Sequence, residues 1–217
     1  MLLLLALVAA IGYLAWISST VANDMRRGES RLVGAQQDLD QAVRQNNPLA
    51  AQRASTALAE SRDDFTSARA KTQNDPGLRL LAALPAASSQ VDATGRLAAI
   101  GTDLSRAGES AAGITSDVLR LKQAYAGKAL TLQEVPALRA QVDALVARSQ
   151  SASQSIAASL RAAHAERAQV KTTDLIPPLH SAYDQVDAAL ARADEAYVRY
   201  GNVRLMVSQA LGIAISG

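Results

Sequence analysis

The sequence predicts an all-α protein in which an N-terminal transmembrane helix continues into an elongated, antiparallel, coiled-coil-like helical bundle. Three observations support this prediction. Hydrophobic residues make up 49% of the 217 residues and aromatic residues only 3%, a composition that suits slender, closely packed helices. Apolar residues recur at alternating steps of three and four along most of the chain, the period of a left-handed coiled-coil stripe. No segment shows the period-two alternation of a half-buried strand.

The N-terminal segment, residues 1–22, is predicted to be a transmembrane anchor. It carries no charged side chain, and a spanning helix needs about 20 apolar residues. Tyr13 and Trp16 lie where an interfacial aromatic belt forms. The alternative is a cleaved signal peptide, for which residues 20–22 (Thr-Val-Ala) are an acceptable cleavage site. The lack of a basic n-region and the length of the apolar run favour a retained anchor.

The charges around the anchor bear on its orientation. No Lys or Arg precedes it, whereas Arg26, Arg27 and Arg31 follow it, and two nearby acidic residues dilute their charge. Applied literally, the positive-inside rule puts the C-terminal side in the cytoplasm. The chain begins abruptly inside the apolar run, so we expect a basic leader to be missing from it.

Residues 23–200 are predicted to form the bundle. The first helix continues from the anchor to residues 46–48 (Asn-Asn-Pro), where Asn is a good N-cap and Pro suits the first turn of the second helix. Residues 74–77 (Asn-Asp-Pro-Gly) are a strong turn signal that ends the second helix. A short apolar piece, residues 78–84, then leads to Pro85.

Three further helices complete the predicted bundle. The third begins near Ser88 or Ser89 and ends near Gly127. The spacing of Thr131 and Glu134 is that of a capping box, which starts the fourth, and residues 177–178 (Pro-Pro) start the fifth. Short connections make consecutive helices antiparallel neighbours. Residues 201–217 are an apolar C-terminal segment, too interrupted for a second span, and we expect the chain to be truncated there.

The clearest packing seam runs along the third helix and recurs in the fifth. Its residues follow steps of three and four, so they share one helix face. Glycines within the third helix weaken it intrinsically but permit a close neighbour. The predicted seam consists of Leu97, Ile100, Leu104, Ile114, Val118, Leu121, Leu179, Tyr183, Val186 and Leu190.

No pattern in the sequence predicts catalysis, a metal site or a cofactor, and we expect a protein that is not an enzyme. The absence of Cys removes disulfides, thiolate zinc sites and a cysteine nucleophile. His164 and His180 are expected at the surface, because they lie on different helices and outside any HExxH motif. Asp184 and Asp187 are three residues apart, a spacing at which paired carboxylates can do acid–base work, but their polar neighbours favour a solvated helix face. Further carboxylates considered for acid–base work are Asp63, Asp64, Asp174, Asp194 and Glu195.

Charge and composition also restrict the partners. The net charge is only +2, both signs are interspersed along the helices, and few aromatic side chains could stack on bases, which argues against nucleic acid. The predicted partners are the membrane and either other envelope proteins or a second copy of the chain. No small-molecule ligand is indicated.

Short motifs between the helices carry a resemblance to a known family. They are residues 80–85 (Leu-Leu-Ala-Ala-Leu-Pro), the segment 130–145, residues 175–179 (Leu-Ile-Pro-Pro-Leu) and residues 211–212 (Leu-Gly). In this order they resemble the N-terminal helical region of a family of uncharacterised, membrane-anchored actinobacterial proteins with a domain of unknown function. Members of that family continue into a mixed globular region. The resemblance implies an extracytoplasmic helical module and brings no catalytic residues.

The function expected from these observations is a structural scaffold or protein-interaction module of the cell envelope, anchored by a single pass with its body extracytoplasmic. One alternative is a helical sensory input domain, which would relay ligand binding as small helix shifts. The other is a non-catalytic accessory in envelope polysaccharide production, which the resemblance implies for some members. Sugar sites usually need exposed aromatic side chains, and the one Trp lies in the predicted anchor.

Overall fold

The computed structural model describes residues 2–125, 133–173 and 175–200, without the side chains of residues 2–18, 85–86 and 199–200. Within those ranges the chain forms six helices and no strand, which confirms the all-α prediction. The helices are α1 (Leu2–Gln45), α2 (Pro48–Asn74), α3 (Pro76–Ala82), α4 (Pro85–Tyr125), α5 (Val135–Arg167) and α6 (Pro177–Tyr200).

Asx side chains start two of the helices, α2, where the sequence predicts an Asn cap, and α3, where it predicts only a turn. The Asn47 side chain accepts hydrogen bonds from the amides of Leu49 and Ala50 at 3.1 and 3.3 Å. The Asp75 side chain caps α3 in the same way. In both cases a proline follows at the first helical position. A backbone N–H there has no acceptor within the helix, so proline, which lacks the N–H, costs no helical hydrogen bond. Asn46 ends α1 in the left-handed region, with φ 51°, a conformation that Asn tolerates better than most residues.

The structure refines three predicted boundaries. α4 begins at Pro85, before Ser88, because the ring of proline suits a first helical turn. Part of the apolar piece before it is a helix of its own, α3. The N-cap residue of α5 is Glu134, while Thr131, its predicted capping partner, lies outside the described residues, as does the C-terminal segment 201–217.

α4 is the central helix of the bundle. It packs against α2 on one side and α5 on the other, and α1 packs against α2. α6 contacts both α4 and α5. Val21 of α1 shares a buried cluster with Ala68 of α2, near the end of that helix, and Ala42 shares one with Ala50 and Ala51, near its start. The two helices are therefore antiparallel, as predicted for consecutive helices.

The interface of α1, α2 and α4 is built largely from alanine, which lets three helices approach closely. These alanines are fully buried, and larger side chains such as Leu58 fill the gaps between them. The alanines concerned are Ala35, Ala42, Ala50, Ala51, Ala54, Ala68, Ala98 and Ala112.

The ring of Phe65 is wedged between two other helices. A Cβ added at Gly101 of α4 would lie 2.7 Å from the ring, and one added at Gly28 of α1 would lie 2.9 Å from it. Both distances are well inside normal carbon–carbon contact of about 3.5–4.0 Å. One turn away, Ser61 donates a hydrogen bond to the carbonyl of Gly28 at 2.7 Å and shares another with Ser105 at 3.0 Å. Two glycines that weaken their helices locally thus permit the close approach of the Phe65 ring to both neighbouring helices.

We expect Gly101→Ala to destabilise the protein by about 1–3 kcal/mol, the usual effect of overpacking, because the Phe65 ring is held from both sides and cannot move away. The matched control is Gly113→Ala in the same helix, where nothing lies within 4 Å of the added Cβ. That change should stabilise the protein by about 0.5–1 kcal/mol through helix propensity alone. Urea unfolding of both variants measures the two effects, and equal shifts in the same direction would refute the wedge.

Candidate functional site at the base of the bundle

One end of the bundle, here called the base, contains the end of α2, all of α3 and the starts of α4 and α6. Helix register relates α1 to this end. Val21 packs with Ala68, and Ser67 donates a hydrogen bond to Asp24 at 3.0 Å. Counting along the antiparallel helices from these contacts places Asn74, the last residue of α2, level with about residue 16 of α1.

The first part of α1 therefore extends beyond the end of α2. At a rise of 1.5 Å per residue, residues 2–15 extend about 21 Å past that level. These residues belong to the uncharged, apolar N-terminal run. α1 is a single helix from Leu2 to Gln45, so the apolar run and the bundle share one continuous element.

α3 gives the base an apolar surface. Leu78 is 6% exposed and packs with Val21, Ala68 and Ala98, which fixes α3 against the bundle. On its other side, Leu80 is 73% exposed and Leu84, just after the helix, is 55% exposed. Ile176, at the start of α6, is 50% exposed, and its amide donates to the side-chain oxygen of Gln90 at 3.1 Å.

Asp24 links α1 to α2 immediately above this surface. It is 2% exposed and accepts hydrogen bonds from Lys71 at 2.5 Å, from Ser67 and from Arg27. Burial raises the pKa of Asp24, but the hydrogen bonds from Lys71 and Ser67 and the charges of Lys71 and Arg27 outweigh burial and lower its pKa overall. The ionised carboxylate is thus the form that the folded protein stabilises. From the sequence Asp24 is only a charge near the predicted anchor, because its partners on α2 are more than 40 residues away.

A second polar cluster connects α2, α4 and α5. Glu166 of α5 accepts hydrogen bonds from Arg96 of α4 at 3.0 Å and from Arg69 of α2 at 3.4 Å. Nearby, burial raises the pKa of Asp103, although Arg106 and Arg69 partly oppose the shift. The cluster satisfies polar groups between helices.

The candidate catalytic carboxylates have separate partners. Asp184 pairs with His180, four residues earlier on the same helix face, at 3.2 Å. Asp187 pairs instead with Arg167 of α5, whose guanidinium lies 5.8 Å from the centre of the Tyr183 ring. Asp184 and Asp187 therefore do not form a carboxylate pair.

Most of the remaining candidates are in side-chain pairs. His164 contacts Asp194 at 2.9 Å, and both side chains are more than 40% exposed. Asp63 is exposed beside Arg62, whereas Asp64 pairs with Arg31 of α1. Glu195 is exposed, and Asp174 lies outside the described residues. Over the described residues, no group of three or more His, Asp or Glu side chains could hold a metal ion.

The predicted seam residues fall into two clusters. Leu97, Ile100, Leu104 and Leu190 are buried together with Leu160 and Ala163 of α5, and Leu179, Tyr183 and Val186 pack, partly buried, against them. Val118 and Leu121 instead join α5 residues such as Leu145, with Ile114 packed against that group. Between the two clusters α4 carries mostly small residues, among them Gly108, whose added Cβ would lie 3.0 Å from Leu58 of α2.

In the part of the chain that the structure describes, no helix is long and apolar enough to cross a membrane. Most of the predicted anchor, residues 1–18 of 1–22, lies outside the residues whose side chains are described. The chain matches no family model, no curated protein and no solved structure.

We expect Asp24→Asn to destabilise the protein by about 1–3 kcal/mol at pH 7, because the charge-assisted hydrogen bonds from Lys71 and Arg27 are lost. The pKa of Asp24 is lowered by folding, so its contribution is present above the unfolded-state pKa of about 3.9 and is lost as the pH falls through the folded-state pKa. The difference in urea stability between wild type and variant should therefore shrink below about pH 4.

We expect Asp103→Asn to have the opposite effect on stability at pH 7. Burial raises the pKa of Asp103, so the wild-type protein loses stability as the pH rises from about 3.9 through the folded-state value. At pH 7 this variant should be at least as stable as wild type. A loss at pH 7 as large as that of Asp24→Asn would contradict the assignment of the two carboxylates.

Proposed function

We propose that this chain is a membrane-anchored scaffold of the cell envelope. The apolar start of α1 is the anchor, and the helical bundle is a stiff body that presents its surface to other envelope proteins or to a second copy. The observation that carries this proposal is the continuity of α1, which extends past the base at one end and is packed into the bundle along the rest. A single helix that serves both parts holds the body at a defined position relative to the bilayer.

The contacts of α1 favour a scaffold over a sensory input domain. Sensory bundles relay a signal when a helix shifts by about 1–2 Å. Here the Phe65 ring lies against Gly28, and Asp24 is bonded to Lys71 and Ser67 on α2. A shift of α1 along its axis would push the neighbours of Gly28 against the ring and break the bonds of Asp24.

The aromatic side chains favour a scaffold over a polysaccharide accessory, because carbohydrate recognition uses exposed aromatic faces. Among the described side chains, Phe65 is buried. Tyr183 and Tyr197 pack against one core cluster and Tyr125 against the other. These rings are used for packing between helices.

The anchor is tested by comparing the full chain with a variant that lacks residues 2–18. We expect the full chain to remain with membranes after alkaline carbonate extraction, because its apolar run is embedded in the bilayer. The shortened chain should appear in the soluble fraction with the helix content of the bundle intact by circular dichroism. Recovery of the full chain in the soluble fraction would overturn the proposal.

Orientation is tested with a reporter fused to the C terminus and protease added to intact cells. We expect the reporter to be external and therefore accessible to protease. A reporter protected in intact cells but cleaved after lysis would place the body in the cytoplasm, as the literal positive-inside rule predicts, and would contradict an envelope scaffold.

A further inference from the structure

We propose that the tip of the base, residues 80–87, lies in the interfacial zone of the lipid bilayer beside α1, so that the bundle rests on the membrane through this tip. The inference rests on the proposed anchor and adds a second membrane contact to it. The partner is the boundary between lipid headgroups and acyl chains.

The base lies level with the end of the predicted anchor. Val21 packs with Ala68, and Asp24 is bonded to Ser67. Counted along the antiparallel helices, residues 16–22 of α1 therefore lie level with the last turns of α2. The predicted anchor, residues 1–22, overlaps the base by about two helical turns, so a span that reaches Ala22 brings the lowest part of the base to the bilayer surface.

The tip extends below the end of α2. Gly95 of α4 lies beside Thr72 of α2, which places the first residue of α4, Pro85, about 12 Å below the end of α2. α3 and the start of α4 thus descend alongside the apolar run of α1. Polar side chains return at Ser88, Ser89 and Gln90, which lie higher on α4.

The tip is also apolar in composition. Residues 80–87 read Leu-Leu-Ala-Ala-Leu-Pro-Ala-Ala, without a charged or hydrogen-bonding side chain. Leu80 and Leu84 expose more than half of their surface. Arg79 is exposed beside them, and a long basic side chain at such a position can reach lipid phosphates.

Several backbone amides of the tip are hydrogen-bonded within the chain, which favours contact with a region poor in water. The amides of Ala83 and Leu84 donate to the carbonyls of Leu80 and Leu81, at 3.2 and 2.9 Å. The amides of Ala87 and Ser88 both donate to the carbonyl of Leu84. Pro85 has no amide hydrogen. Polar backbone groups that are already bonded internally can enter the interface at little cost.

A protein partner fits this surface less well. The exposed apolar side chains at the base are few, whereas stable protein interfaces bury at least about 1,000 Å² in total. Their place beside the membrane-inserted segment makes the bilayer the occupant that is always within reach.

The absence of cysteine permits a direct test with single-cysteine variants of the full chain. Leu80→Cys and Leu84→Cys report on the tip, and Leu49→Cys is the control, because Leu49 is 64% exposed in the first turn of α2, at the opposite end of the bundle. Each is labelled with an environment-sensitive nitrobenzoxadiazole dye and reconstituted into vesicles of phosphatidylcholine and phosphatidylglycerol. Lipids with a spin label close to the headgroup serve as quenchers, and flotation reports binding to vesicles.

We expect the dye at positions 80 and 84 to show blue-shifted emission and strong quenching by the shallow spin label, while the dye at position 49 shows neither. If the protein floats with the vesicles but positions 80 and 84 behave like position 49, the anchor stands and the membrane contact of the tip is refuted. If the protein does not float, the anchor itself is refuted and the contact of the tip with it. Quenching of position 49 equal to that of the tip would mean that the bundle lies flat on the bilayer, which also contradicts the proposal.

Discussion

The close approach of α1, α2 and α4 around the Phe65 ring is the constraint on which the rest of the bundle depends. A flat aromatic ring fits between two helices only where both lack side chains, and Gly28 and Gly101 provide the two gaps. Once these three axes are close, alanine suffices to fill most of the remaining interface. α5 and α6 can then pack on the opposite face of α4 with larger side chains such as Leu160 and Leu190.

Polar groups inside so narrow an interface must be bonded across helices, since buried polar groups without partners are costly. Ser61 and Ser105 satisfy one another between α2 and α4, and Ser61 also serves a carbonyl of α1. Near the base, the carboxylate of Asp24 is likewise bonded between helices, because it accepts hydrogen bonds from Lys71 of α2 and Arg27 of its own helix. These bonds fix the register of the helices along their axes, which apolar contacts between alanines alone would leave weakly defined.

Much of the fold could be predicted from the sequence because the residues that start and end its helices act on neighbouring residues. Asn47 and Asp75 act through neighbouring amides, and the prolines after them are readable from chemistry alone. The periodicity of the seam identified the apolar face of α4, but it could not divide that face between neighbours. Gly108 faces Leu58 of α2, while Val118 and Leu121 face α5, and a one-dimensional period carries no information about which helix lies opposite.

The base was harder to predict for the same reason. Asp24 acquires its role from residues of α2. The exposed Leu80 differs from the buried Leu78 only through the way α3 lies against the bundle.

The wedge at Phe65 also sets an order of assembly. The ring lies in α2, and its two gaps come from helices on either side of it in the chain, 37 residues before and 36 residues after. During synthesis, α1 and α2 can pair as a hairpin as soon as both have emerged, but the face that receives α4 stays open until Gly101 and the turns beyond it are made. Every nascent chain therefore passes through a stage in which an alanine-rich surface of the hairpin is exposed. The hairpin and α4 belong to one chain, so the last docking step is an encounter between parts already tethered together, which limits pairing with other nascent chains.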